Sequence, residues 1–162
     1  MGVRGAYIAI ENSLLSQIIH DEKNILEIDP AQSRPLDIDK SWQSIHYLLC
    51  KNIKNGEPPM GYVVPIRDDQ EIDCELEFEA FYITARQVKD AANFLNSLDD
   101  NALKNMYDFQ SMKENAVYPL CGSETETDAE FLYEYIYSYL IKLREYFNQI
   151  AEKGYAIILY FS

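Results

Sequence analysis

His46, Asp39 and Cys50 come nearest, among the residues of this chain, to a catalytic set. A histidine can act as general base, a cysteine as nucleophile and a carboxylate as the group that orients the imidazole. His46 precedes Cys50 by four residues, so a helix puts both on one face, with Asp37 and Asp39 a short way upstream. Parallel side chains on one helix seldom reach nucleophile–base geometry, and a histidine bonded locally at the edge of the core is the simpler expectation. If the chain is an enzyme, it is a small hydrolase or transferase with a pocket near Trp42 and His46, and these three residues carry it. On any other reading no catalytic residue is assigned.

No metal or cofactor is expected. His20 and His46 have no companions at metal-ligand spacing. Asp37-Ile-Asp39 has the form of a magnesium-holding Asp-x-Asp, but Ser33-Arg-Pro35 stands where that motif needs a buried strand. Helix capping explains the two aspartates better. No phosphate-binding glycine loop, Gly-x-Ser-x-Gly elbow or His-Glu-x-x-His is present.

Charge says more than motif. Fourteen basic residues stand against 27 acidic ones, a net charge of -13. Such a surface repels phosphate backbones and anionic lipid and attracts basic proteins. Between Arg67 and the end of the following strand lie Asp68, Asp69, Glu71, Asp73, Glu75, Glu77 and Glu79. They lack the register of a calcium loop. Carboxylates lined along one strand face repel each other, a cost that a cationic partner relieves. These seven are the candidate partner-binding residues.

Cys50, Cys74 and Cys121 are odd in number, widely spaced and without a Cys-x-x-Cys pair, which points to a reducing cytoplasm and to three small buried hydrophobes. No apolar run approaches the roughly 20 residues that span a bilayer, and the opening ten do not read as a secretory signal.

The elements that position these residues follow from periodicity. Gly5–Ile10 reads as a strand, and Ser13–His20 as a helix capped by Asn12 or Ser13. Asp37 and Asp39 cap a helix with Trp42, Ile45, Leu48 and Leu49 on its buried stripe. Gly61–Ile66 reads as a strand ending at Pro65, and Cys74–Ile83 as an alternating strand with Leu76, Phe78 and Ala80 inward. Thr84-Ala-Arg-Gln87 opens a helix through about Leu98, and Asp99 or Asp100 another through Met106, followed by a polar loop. Thr127-Asp-Ala-Glu130 opens a long helix ending at Lys153-Gly154, about 37 Å by its rise per residue, bearing rows of tyrosines. Tyr155–Phe161, apolar on both faces, belongs in the middle of the sheet. The expected fold is α/β (mixed α+β): one domain over residues 1–162, with a mixed sheet of about four strands packed with about five helices.

Three stretches resemble the YfbM-like family of small bacterial proteins: Met1-Gly-Val-Arg-Gly-Ala-Tyr-Ile-Ala-Ile10, Leu36-Asp-Ile-Asp-Lys-Ser-Trp-Gln-Ser-Ile-His-Tyr-Leu-Leu49 and Gly154-Tyr-Ala-Ile-Ile-Leu-Tyr-Phe161. Tyr82–Val88, Tyr107-Asp-Phe109 and Val117-Tyr-Pro119 fall in matching order, and the acidic stretch 67–80 departs from the family's pattern. The resemblance implies a compact single α/β domain and brings no catalytic residues with it. The functional expectation is a cytoplasmic, non-enzymatic protein-binding module. Its concrete form is an acidic immunity-type inhibitor of a basic toxin or enzyme, with no nucleic-acid or membrane partner.

Overall fold

β1 (Gly5–Ile10) and β5 (Ala156–Phe161) pair antiparallel along their full length, from Gly5 opposite Phe161 to Ile10 opposite Ala156. They are the spine of the computed structural model, which describes residues 2–74, 77 and 79–162. β4 (Ala80–Ile83) pairs with the other side of β5, and two-residue strands close the edges, β2 (Leu36–Asp37) beside β1 and β3 (Glu71–Ile72) beside β4. The order is therefore β2-β1-β5-β4-β3. β5 is central, as its two apolar faces require: Ala156, Ile157, Ile158 and Leu159 are all wholly buried.

The two-residue side-chain period of a strand sorts the core into two layers. Tyr7, Ala9, Phe81, Ile83, Ile157, Leu159 and Phe161 face the larger layer, and Ile8, Ile10, Ile72, Ala80, Ala156 and Ile158 the smaller. α1 (Asn12–Ile19) covers the smaller layer with Leu15 and Ile18. α2 (Trp42–Cys50), α3 (Ala85–Ser97), α4 (Asp100–Met106), α5 (Phe109–Glu114) and α6 (Glu126–Lys153) enclose the larger. α6 buries Leu132, Ile136, Leu140, Leu143, Phe147 and Ile150 at helical spacing. It packs on α3, whose Ala91 and Ala92 let the two backbones come close. Gly154 ends α6 in the left-handed conformation, φ +70°, as a C′ glycine does.

The α/β class is as the sequence implies, but several local expectations are corrected. The sheet has five strands rather than about four, every pairing is antiparallel, and the described residues form six α-helices rather than about five. Two of the strands are two residues long, too short to leave a period in the sequence. Residues 61–66 are not a strand: Met60–Tyr62 is a 3₁₀ turn, and Val63 and Val64 are buried in loop. The apolar run reflects burial, which periodicity alone cannot tell from pairing. Of the strand expected over Cys74–Ile83, β4 takes in Ala80–Ile83; Glu75, Leu76 and Phe78 lie outside the described residues.

Asp37 and Asp39 do not cap α2. Asp37 sits in β2, where its side chain accepts the Asp39 amide at 2.6 Å and pairs with Arg4 at 2.7 Å, and Ser41 is the N-cap. α1 follows Glu11, not Asn12 or Ser13. α6 begins two residues earlier than its Thr127–Glu130 pattern suggests: the Asp128 carboxylate accepts the Thr125 amide at 2.7 Å and its hydroxyl at 3.2 Å. At 28 residues the helix is about 42 Å long. α5 occupies the stretch expected as polar loop, with Asp108 accepting the Ser111 amide at 2.9 Å.

The tyrosines of α6 pack their rings and bond their tips. Tyr135 donates to Asp39 at 2.8 Å, Tyr137 to Asp100 at 2.8 Å, and Tyr146 to the Arg34 carbonyl at 2.9 Å. Each hydroxyl ties the helix to a segment distant in sequence: Tyr135 and Tyr146 to loops, Tyr137 to the start of α4.

Candidate functional site

The site is built where β5 ends and β4 and α2 begin. Phe161 and Phe81 project from adjacent strands toward the larger layer, their rings edge to face at 6.2 Å. Trp42, in the first turn of α2, meets Phe161 at 4.7 Å and stacks with Tyr118 at 5.3 Å. Its indole N–H donates to the Val3 carbonyl at 3.0 Å, which fixes the ring. Trp42, Phe81 and Phe161 floor a cleft of about 480 Å³, and Ile53 and Ile66 add to its apolar wall.

The rim is acidic. Asp68, Glu71, Glu77 and Glu79 line it, with Lys54 as the one cation among the lining residues. Alternation explains Glu71: Ile72 beside it enters the smaller layer, so Glu71 turns to the opposite face. Asp68 accepts from Lys54 at 3.0 Å and from the Asn55 side chain at 2.9 Å. Its carboxyl is held below the usual carboxylate range, first by Asn55 and then by Lys54.

The loop from Ile53 to Asp68 supplies Ile53, Lys54, Ile66 and Asp68 to the cleft, and His46 holds that loop down. The imidazole is 1% exposed. Nδ1 lies 2.8 Å from the Val64 carbonyl, and Nε2 accepts the Gly56 amide at 3.2 Å. That pairing makes the ring neutral with its proton on Nδ1, and burial pushes its pKa down to about 4. The wholly buried Tyr7 donates to the Val63 carbonyl at 2.7 Å and adds a second tie. Arg67 donates to the Gly56 carbonyl and to Asp69, the latter at 3.0 Å. Gly61 lies so close to Gly56 that a Cβ there would stand 2.0 Å from the Gly56 carbonyl oxygen.

Of the seven carboxylates proposed from sequence, Asp68, Glu71, Glu77 and Glu79 come to one cleft. Asp69 is turned aside and neutralised by Arg67. Asp73 is exposed beside Ile72, near α1 rather than in the cleft, and Glu75 lies outside the described residues. His46, Asp39 and Cys50 do not form a relay. Both ring nitrogens of His46 are engaged with backbone, and Asp39 is bonded to Tyr135 and lies 3.6 Å from Arg4. Burial pushes the Cys50 thiol up to about 12, so it stays protonated. The pocket expected near Trp42 exists, but His46 is not in its lining.

The cysteines are less buried than their type suggests. Cys50 and Cys74 are half-buried, and Cys121 is exposed, donating its amide and thiol to Glu124 at 2.7 and 3.2 Å. Among the described residues, no group of three or more His, Cys, Asp or Glu side chains is placed to hold a metal. No described helix is long and apolar enough to cross a membrane. Phe81, Phe161 and Ile66 are cleft residues the sequence did not single out. Each reads as core, and only the packing of the strand ends against α2 exposes their edges.

Fold and cleft together define a small α/β domain, an antiparallel sheet layered between helices, with an aromatic-floored, acid-rimmed cleft at one end. The chain belongs to the family described as a domain of unknown function, DUF1877, whose profile matches residues 1–160. It is also similar in fold to a solved structure described as a protein of unknown function, YfbM, from Escherichia coli. That similarity has a TM-score of 0.76 and 20% identity, and covers 98% of this chain and 99% of the other. No curated protein matches the sequence.

Proposed function

We propose that the protein is a cytoplasmic, non-enzymatic binding module for a basic protein, of the kind formed by acidic immunity proteins that cover a cationic toxin or enzyme. One observation carries this reading: four carboxylates gather on the rim of a single cleft with one lysine among them, on a chain whose net charge is -13. An acidic patch of this kind steers a basic partner and speeds encounter, while the apolar floor gives the contact area that charge alone lacks. The engagement of both His46 nitrogens and the high pKa of the Cys50 thiol favour binding over covalent chemistry.

The test is affinity capture from the native host, with every captured protein then measured by calorimetry. A basic partner should lose at least about tenfold in affinity between low salt and about 0.3 M salt, because exposed charges are screened over roughly a Debye length. It should lose as much again against Glu71→Lys/Glu79→Lys. A partner indifferent to both changes would overturn the electrostatic reading.

A further inference from the structure

The cleft's floor and rim make demands that few ligands meet together. The indole N–H of Trp42 is already donated to Val3 and the ring is stacked with Tyr118 at 5.3 Å, so what Trp42 offers a ligand is the part of its π surface that lines the cleft, next to the ring of Phe161. Lining the cleft with them are the carboxylates of Glu71 and Glu79, both exposed and neither in an ion pair with any described residue. A neutral apolar ligand would strip water from these carboxylates without replacing their hydrogen bonds. An anion would be repelled. A lysine ammonium matches the charge, but it is strongly hydrated and has no flat face to lay on an aromatic floor. A guanidinium meets both demands: its face stacks on aromatic rings, and its fork of N–H groups bonds carboxylates two at a time. At about 480 Å³ the cleft falls within the range of sites that enclose a ligand of this size.

We propose that the cleft receives an arginine side chain of the basic partner, the guanidinium resting on Trp42 and Phe161 and donating to the carboxylates of the rim. This rests on the reading of the protein as a module for a basic partner, and adds which residue of that partner enters and where. Asp68 contributes less than Glu71 and Glu79, because Lys54 and Asn55 already occupy its oxygens.

Trp42 is the only tryptophan, so its fluorescence reports on the cleft directly. The probe is N-acetyl-arginine amide, with N-acetyl-citrulline amide, which keeps the shape but not the charge, and N-acetyl-lysine amide as comparisons. The expected result is a saturable change with the arginine probe at a Kd on the order of 1–10 mM, the range for one side chain held without its neighbours. The citrulline probe should give no saturable change, and the lysine probe should bind at least about threefold more weakly. Glu71→Gln/Glu79→Gln, exposed and outside the core, should weaken the arginine probe at least about fivefold with the near-ultraviolet circular dichroism unchanged.

No saturable response to the arginine probe, an equal response to citrulline, or tighter binding of lysine would each overturn the proposal. Its failure is separable from failure of the broader reading. A salt-dependent basic partner that binds Glu71→Gln/Glu79→Gln at wild-type affinity removes the arginine cleft and leaves the binding module. Specific binding of the arginine probe with no basic protein partner found does the reverse.

Discussion

The imidazole of His46 accepts the backbone amide of Gly56 at 3.2 Å, ten residues along the chain, while its other nitrogen meets the Val64 carbonyl at 2.8 Å. One buried ring thus satisfies backbone groups at two points of the loop that forms a wall of the cleft. An unpaired buried amide or carbonyl costs about 1–3 kcal/mol, so the arrangement replaces secondary structure where the loop has none.

Protonation of His46 must break that lock, because a charged ring has no acceptor for the Gly56 amide. Its pKa is depressed to about 4 from 6.5, so the unfolded chain takes up the proton first as pH falls. The contribution of His46 is intact above pH 6.5, declines as pH drops, and is lost by about pH 4. At about 1.4 kcal/mol per pH unit, the total is about 3 kcal/mol. Urea denaturation of wild type and His46→Gln across this window isolates the effect from the carboxylates, which titrate in both. The stability difference between the two should shrink by about that amount from pH 6.5 to 4, and a constant difference would show that the ring is not the acid-sensitive group.

Gly61 faces a harder steric limit. A Cβ placed there stands 2.0 Å from the Gly56 carbonyl oxygen, a backbone atom that cannot rotate away. Gly61→Ala is expected to destabilise the protein by at least about 3 kcal/mol, the upper range for single substitutions. It should also weaken any ligand of the cleft, since Gly56 and Val64 move with it. A melting temperature within a degree of wild type would mean that the loop accommodates the methyl group.

Tyr7 offers a test of buried polar bonding within the core. Tyr7→Phe removes one oxygen and leaves the Val63 carbonyl without its partner in a fully buried setting. The expected loss is about 1–2 kcal/mol in chemical denaturation, with the near-ultraviolet spectrum otherwise preserved.

The start of α6 distinguishes two capping registers. Asp128 accepts the Thr125 amide at 2.7 Å, and Glu130 accepts no hydrogen bond from the described residues. Asp128→Ala should therefore cost about 1 kcal/mol, from the lost capping bond and the lost charge at the positive helix end. Glu130→Ala should be neutral to within about 0.5 kcal/mol. The reverse pattern in thermal melts would restore the later start at Thr127.

What could be read from the chain is what neighbours in sequence enforce. Thr84 and Gln87 exchange their capping bonds within one turn, Gly154 ends α6 through its own backbone freedom, and β5 announces its central place by having no polar residue from Ala156 to Leu159. The acidic character of Asp68 to Glu79 was equally plain, since charge needs no fold to be counted. The rest depended on groups that meet only after folding. Asp37 and Asp39 looked like caps because capping is the nearest use for two aspartates before a helix. Arg4 and Tyr135, 33 and 96 residues from their partners, claimed them instead. Val63 and Val64 looked like strand because burial and pairing leave the same apolar mark, and the hydroxyl of Tyr7 and the ring of His46 supplied the bonds a sheet would have made. The cleft is the extreme case: Trp42, Phe81 and Phe161 converge from an α-helix and two strands far apart in sequence, and no local pattern encodes that three core-forming aromatics leave an open edge beneath a row of carboxylates.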